Sequence, residues 1–524
     1  AKSDYDKEHV TPYIKKTNYF KKVNFKNNKD LSQIRLTLDY REDFKVIKEI
    51  FNHFHPNIYF TLNDIMKLYM KRKNIFNLKT PKKKKLSKTK NIGQSYWKRA
   101  TKIIPGGNML LSKNPDRFLP GIWPTYYKKA KGCSVWDLSS KKYYDLSLMG
   151  VGTNILGYAN KEIDNEVIKA AKYGNMSTLN CKEDILLAEK LLEINSKMDM
   201  VKFARTGGEA SAIATRIARA ASGRDNVAVC GYHGWHDWYL SLNLGDSDQL
   251  AKNLVPGIKN DGIPKRLKNS VFSFRYNDIN SLEKIIKKHN IGCIQMEVQR
   301  NITPNNNFLK KVQFLAKKNK IILIFDECSS GFRETYGGVH KKYKVFPDLC
   351  MFGKALGNGY AITAVIGKKE IMESAQNTFI SSTFWTERIG PTAGLATLKE
   401  MKKIKSWEII TATGKIIKNN WKRLASSYDI DIEITGMDAL ATFVIKSDNW
   451  LKYKTYITQN MLEKGFLAAN VVYSSTKHSE KILNKYFDCL DNIFKKIGDF
   501  ERGTSSVDDH LNSDICHSGF KRLN

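Results

Sequence analysis

Apolar and polar positions along this chain fall into two alternating kinds of run. Short, nearly continuous apolar stretches lie at 200–204, 227–230, 292–297, 321–326 and 347–353. Runs of this kind predict strands buried on both faces, as in a parallel sheet. Amphipathic segments lie between or beyond them, at 184–194, from Arg205-Thr-Gly-Gly-Glu-Ala210 through Ala221, at 307–319 and at 390–403, and they predict helices. Alternating strands and helices give an α/β domain with a large mixed or parallel sheet. Residues 135–138 and 142–146 predict a hairpin with a Ser-Ser-Lys turn, preceded by a helix over 96–103 capped by Ser95 and broken at Pro105-Gly-Gly107. Strand-like runs at 431–434 and 442–446 place a smaller α+β domain at the C-terminal end.

The first 79 residues form their own unit, with strand alternation from Ile34 and helices over 42–53 and 62–69. Thr80-Pro-Lys-Lys-Lys-Lys-Leu-Ser-Lys-Thr-Lys90 is a self-repelling, solvated tether. The expected division is therefore 1–79, a basic linker 80–94, an N-terminal part 95–148, a large domain 149–405 and a small domain 406–524.

The chemistry collects where the buried runs end. Ile321-Ile-Leu-Ile-Phe-Asp326-Glu closes an apolar strand on two acids. A carboxylate there is costly unless a cation meets it, and open α/β sheets bind ligands beyond the carboxyl ends of their strands. Asp326 is thus a candidate to hold a cationic ligand group. Lys354 leaves the run 347–353 into Ala-Leu-Gly-Asn-Gly359, where partial desolvation lowers an ammonium pKa and makes a Schiff-base nucleophile. Strand 200–204, the Gly207-Gly208 turn and a helix start form an anion site of free amides and helix dipole. Glu297 ends a third buried strand, and Val227-Ala-Val-Cys230 runs into Gly231-Tyr-His-Gly-Trp-His-Asp237. His233 is expected to hydrogen-bond around the ligand, and His233 with His236 makes no convincing metal site.

From about Tyr96 to Asn524, the ordered set Asp326-Glu, Gly331-Phe-Arg333 and Phe352-Gly-Lys354-Ala-Leu-Gly-Asn-Gly resembles the class III pyridoxal-phosphate (PLP) aminotransferases, near glutamate-1-semialdehyde aminomutase. The resemblance implies fold type I and pyridoxal 5′-phosphate as cofactor. It implies Lys354 as the imine-forming lysine and proton shuttle, and Asp326 as the partner of the pyridine nitrogen. Gly207 and Gly208 would form the phosphate cup, with Gly208 replacing the usual hydroxyl residue. Tyr232 would stack on the ring, Glu297 would sit near its O3′ side, and Thr383 would reach the phosphate of the other subunit, so a homodimer is expected. Where relatives carry Glu-Pro, this chain has Glu297-Val298.

The loop after Gly107 reads Asn-Met-Leu-Leu-Ser-Lys-Asn-Pro-Asp-Arg-Phe118 and lacks the Val-Asn-Ser-Pro-Val-Arg run of the aminomutase. Separately, Asp6-Lys-Glu-His-Val-Thr-Pro-Tyr-Ile14 with Arg35-Leu-Thr-Leu-Asp39 resembles the C-terminal part of a sugar cytidylyltransferase of the spore-coat polysaccharide type. In that family the residue matching Asp39 helps hold a divalent metal; here a turn cap is the preferred role. Together these favour amino transfer from a small-molecule donor to a keto acid or sugar-like carbonyl in surface-polysaccharide synthesis. Aminomutase chemistry, and a nucleotidyltransferase with an accessory PLP half, remain alternatives.

Composition changes this picture little. A net charge of +35, from 87 Lys+Arg against 52 Asp+Glu, admits nucleic acid or anionic lipid. The lysines are spread along the whole length with no nucleic-acid motif, so neither partner is expected. No apolar run reaches membrane-spanning length. Eight cysteines without a CxxC pair argue for a reducing cytoplasm and against zinc.

Overall fold

The computed structural model describes residues 21, 34, 36, 41–76, 92–244 and 260–517. Two compact units divide the chain, 1–88 and 89–524. In the first, helices Arg41–Phe54 and Leu62–Lys71 cover the expected segments, and Val46, Ile50, Leu68 and Phe76 form a small core. Thr61 and Asp64 make a reciprocal capping box that starts the second helix. Asp39 and most of the residues carrying the cytidylyltransferase resemblance lie outside the described residues.

The second unit opens with helix Ile92–Ile103, which begins earlier than Ser95 predicts and takes that residue into its interior. Gln94 explains the earlier start: its side-chain amide donates to the Trp123 carbonyl at 2.7 Å and anchors the first turn. Strands β1 (Tyr127–Lys131), β2 (Ser134–Asp137) and β3 (Lys142–Leu146) form an antiparallel meander. Its second turn carries Ser140 at φ +66°.

The large sheet has seven strands: β4 (Met200–Ala204), β5 (Asn226–Cys230), β6 (Val271–Ser273), β7 (Ile291–Glu297), β8 (Ile322–Asp326), β9 (Leu349–Phe352) and β10 (Thr363–Gly367). The order is β4-β10-β9-β8-β7-β5-β6. Only β10 runs against its neighbours. The carboxyl ends of β4, β9, β8, β7 and β5 therefore share one edge. Every residue of β7, β8 and β9 is buried, as continuous apolar runs covered on both faces require.

The small domain is built from both ends of this unit. Strands β11 (Ile432–Thr435), β12 (Leu440–Ile445) and β14 (Val471–Tyr473) make one sheet, while β13 (Phe466–Ala468) joins the N-terminal meander, parallel to β3. The division at 148 and 406 thus separates segments that share a core. Leu146 packs in the same cluster as Trp421, Phe443, Tyr486 and Phe494. Trp421 is fully buried, and its indole N–H donates to the Tyr486 hydroxyl at 3.0 Å. Trp421→Ala empties that centre and is expected to cost about 4 kcal/mol of stability, measured by denaturant unfolding against the parent protein.

Candidate active site

Five strand ends build one site. β8 delivers Asp326, which is nearly fully buried. Its Oδ2 lies 2.9 Å from His233 Nδ1, and its Oδ1 accepts the Cys328 N–H at 3.0 Å. Burial alone would raise this carboxyl's pKa. The hydrogen bond and charge of His233, the Cys328 amide and the Lys354 ammonium outweigh it, so the group stays below the ordinary carboxylate value and ionised.

Lys354 follows β9 in a short turn, Lys354–Gly357, at φ +42°. A lysine held in the left-handed region costs about 1–2 kcal/mol, and such strain is found where surrounding structure imposes a functional geometry. Its Nζ donates to Ser329 Oγ at 2.8 Å. Asn358 fixes the far side of the turn, accepting from the Leu156 amide at 2.9 Å and donating to the Gly157 carbonyl at 3.0 Å. Residues 156 and 157 are thereby tied to the lysine turn.

The adjacent acid Glu327 is a structural node. Its carboxylate accepts from Ser330 Oγ (2.6 Å), the Val339 amide (3.0 Å), the His340 amide (2.9 Å) and, with His340 Nδ1 protonated, that ring nitrogen (2.9 Å). Cys350 completes a trio with metal-ligand spacing. Four donors occupy the lone pairs a metal would need.

β5 leads through Gly231 (φ +114°) to half-buried Tyr232 and to His233. A Cβ at Gly231 would fall 2.7 Å from Glu297 Oε2, so the backbone passes close over that carboxylate, which accepts the Tyr232 amide at 3.2 Å. Glu297 pairs with Asp326 across β7 and β8. His233, expected to hydrogen-bond around the ligand, is placed to orient Asp326.

After β4, Thr206 caps helix Gly207–Ser222, and Glu209 returns the capping-box bond. Those bonds satisfy the Thr206 and Glu209 amides. Gly207 and Gly208 lie in the first turn, where backbone amides lack an intrahelical acceptor and suit an anion. Arg205 ties this corner to the 383–387 segment, donating to the carbonyls of Trp385 (2.9 Å) and Glu387 (2.8 Å). Thr383 is exposed, and its carbonyl accepts from Thr386 Oγ1. The next helix, Ile389–Ile404, is capped by the Glu387 carboxylate on the amides of Ile389 and Gly390, each at 2.8 Å, and not by Thr386.

A second cluster escapes sequence reasoning. Arg333 is fully buried and bridges the carbonyls of Ser329 and Gly152. Arg300 lies over the Tyr473 ring at 5.1 Å and hydrogen-bonds its hydroxyl. Burial pushes the Arg333 guanidinium down to about 9; the Arg300 charge adds to this and Tyr473 opposes it. Arg117 also feels Tyr473. One terminal nitrogen of Arg333 and one of Arg117 are buried without a hydrogen-bond partner. Only the Gly-Phe-Arg motif hinted at any of this from sequence.

A buried ionised acid, a lysine at the end of the neighbouring strand, an aromatic residue beside the histidine that bonds the acid, and a helix N-terminus suit a flat, cationic, phosphorylated aldehyde. The comparisons agree. The family model for aminotransferase class-III matches residues 121–477. The chain is 32% identical over 378 residues to a 3-aminobutyryl-CoA aminotransferase of Cloacimonas acidaminovorans, covering 70% of this chain and 86% of that protein. It is 28% identical over 431 residues to a glutamate-1-semialdehyde 2,1-aminomutase of Hyperthermus butylicus, covering 78% and 99%. Among solved structures, an omega-transaminase from Sphaerobacter thermophilus superposes with TM-score 0.68 at 21% identity, over 78% of this chain and 98% of that one.

His233→Phe removes the main group holding the Asp326 carboxyl down, leaving burial to raise it. A carboxylate with a depressed pKa contributes stability in full above about pH 4, which is lost as pH falls through its folded value. In the variant, the acid limb of a melting temperature–pH profile between pH 3 and 7 is expected to move to higher pH.

Proposed function

The chain belongs to the class-III aminotransferases, and from that premise we propose that it uses pyridoxal 5′-phosphate to move an amino group from a small-molecule amine to a carbonyl acceptor. The carrying observation is that Lys354 and the buried, ionised Asp326 lie at the ends of neighbouring strands, close enough for the ammonium to help hold the carboxyl down. Bound there, the cofactor supplies an electron sink for the carbon bearing the amine. Asp326, oriented by His233, keeps a proton on the ring nitrogen. Lys354 would hold the cofactor and move a proton at the substrate carbon as base and acid, with Ser329 Oγ orienting its amine. Tyr232 covers one ring face, Glu297 steadies the Tyr232 loop, and the Gly207 and Gly208 amides take the phosphate.

The arginines support the keto-acid form of the acceptor over a neutral sugar. Burying guanidinium groups is expensive without an anion, and Arg333 and Arg117 each present an unpartnered buried nitrogen. A substrate carboxylate meets that need. Intramolecular transfer, the chemistry named for the aminomutase relatives, is the second reading, and such a substrate would also suit the arginines. Thr383 would contribute from a second copy. Phe379, Phe384, Leu179 and Trp235, all strongly exposed, support a homodimer.

Purified protein is expected to show near-visible cofactor absorbance. Lys354→Ala should lose the borohydride-trapped adduct and about 10³-fold or more in rate. Incubation with an amine donor alone should release about one keto product per site; no release would favour the aminomutase. Arg300→Gln should raise KM for an acidic acceptor about tenfold or more and leave KM for a neutral aldehyde nearly unchanged, read from steady-state kinetics.

A further inference from the structure

The phosphate end of the site carries a departure that the rest of the chain compensates. Gly208 stands where the resemblance places a hydroxyl side chain, so that hydroxyl is missing from the cup. The space beside it is filled. A Cβ built on Gly208 would meet His236 Cε1 at 2.9 Å and Nδ1 at 3.0 Å, with Trp235 Cδ1 at 3.6 Å. The imidazole thus occupies the volume that a side chain at 208 would need.

Two contacts hold it there. Gly234, at φ +100°, brings the loop so close that its own Cβ would lie 2.9 Å from Gly208 Cα. The Trp235 ring stacks on the imidazole at 4.6 Å and 24°. His236 Nδ1 is buried and has no hydrogen-bond partner, an arrangement that calls for a ligand. It lies beside Gly208 in the first turn of the helix.

Resting on the proposed PLP site, we infer that His236 is a phosphate-binding residue that takes over the task of the missing hydroxyl. With the proton on Nδ1, the imidazole donates to a phosphate oxygen alongside the Gly207 and Gly208 amides. Glycine at 208 and histidine at 236 then form one exchangeable unit: the glycine makes room for the ring, and the ring supplies the donor. Burial lowers the pKa of this imidazole, while the nearby Glu209 and Asp237 carboxylates oppose that. A neutral ring protonated on Nδ1 still donates.

The test is cofactor affinity of the full-length apoprotein, titrated with pyridoxal 5′-phosphate and, in parallel, with unphosphorylated pyridoxal, following near-visible absorbance. His236→Ala is expected to weaken pyridoxal 5′-phosphate about tenfold or more, as loss of a hydrogen bond to a charged group does. Gly208→Ser alone should also weaken it, because its Cβ collides with the ring. The double variant Gly208→Ser/His236→Ala should return to within about threefold of the parent, the serine hydroxyl taking over the phosphate contact. Pyridoxal affinity should stay the same in all four proteins, which separates loss of the contact from misfolding. The inference is overturned if His236→Ala binds pyridoxal 5′-phosphate like the parent, if the double variant is no better than the weaker single variant, or if pyridoxal weakens in parallel. A parent protein that develops no near-visible absorbance would instead overturn the PLP reading itself.

Discussion

The site rests on one buried charge. Asp326 ends a strand whose five residues are all buried, in a medium where an unpaired carboxylate would take up a proton. It stays ionised only because His233 on one side and Lys354 on another supply opposing charge. Much of the surrounding geometry keeps those two in place. The close pass of Gly231 over Glu297 sets the Tyr232-His233 turn. The strained backbone at Lys354 is held between Ser329 and the Asn358 clamp. Glu327, saturated by four donors, fixes the 327–340 loop that supplies Ser329 and Arg333.

The sheet topology turns this local requirement into a site. β4 lies at one edge of the sheet, separated from β9 by the antiparallel β10, yet its carboxyl end faces the same way as those of β9, β8, β7 and β5. Because β4 keeps the direction of β9 while only β10 runs backward, the helix N-terminus at Gly207 opens on the same edge as Lys354.

What was legible in the sequence follows from what each feature depends on. The buried strands, the acid at 326 and the lysine at 354 each depend on a few consecutive residues, and they stand out as apolar runs ending in charge. The placement of Glu297 beside Asp326 was not visible, because register between β7 and β8 is a property of the sheet. Nor could Gly208 and His236 be seen as a pair: their contact arises from a backbone approach at Gly234, 26 residues along the chain from Gly208. The helix over 92–103 began early for a similar reason, since Gln94 finds its acceptor at Trp123. Domain limits at 148 and 406 were legible as composition but not as packing, because β3 and β13 pair across more than 300 residues.

That pairing divides the site's labour. The cofactor end is made almost wholly by the large sheet. The arginine cluster joins Arg300 and Arg333, which follow strands of the large sheet, to Tyr473 of the small domain. Tyr473, last residue of β14, is tied to the Ser147 carbonyl at 2.8 Å and abuts Gly152, while Arg117 is backed by the Lys454 ammonium on its own carbonyl at 3.1 Å. The C-terminal segment fastens the same loop, with the His517 amide on the Asp116 carbonyl at 2.9 Å. Changes in the small domain therefore reach the guanidinium groups without touching Asp326 or Lys354. A chain built this way can vary one end of its site while keeping the other, which fits a family whose members carry such different substrate names.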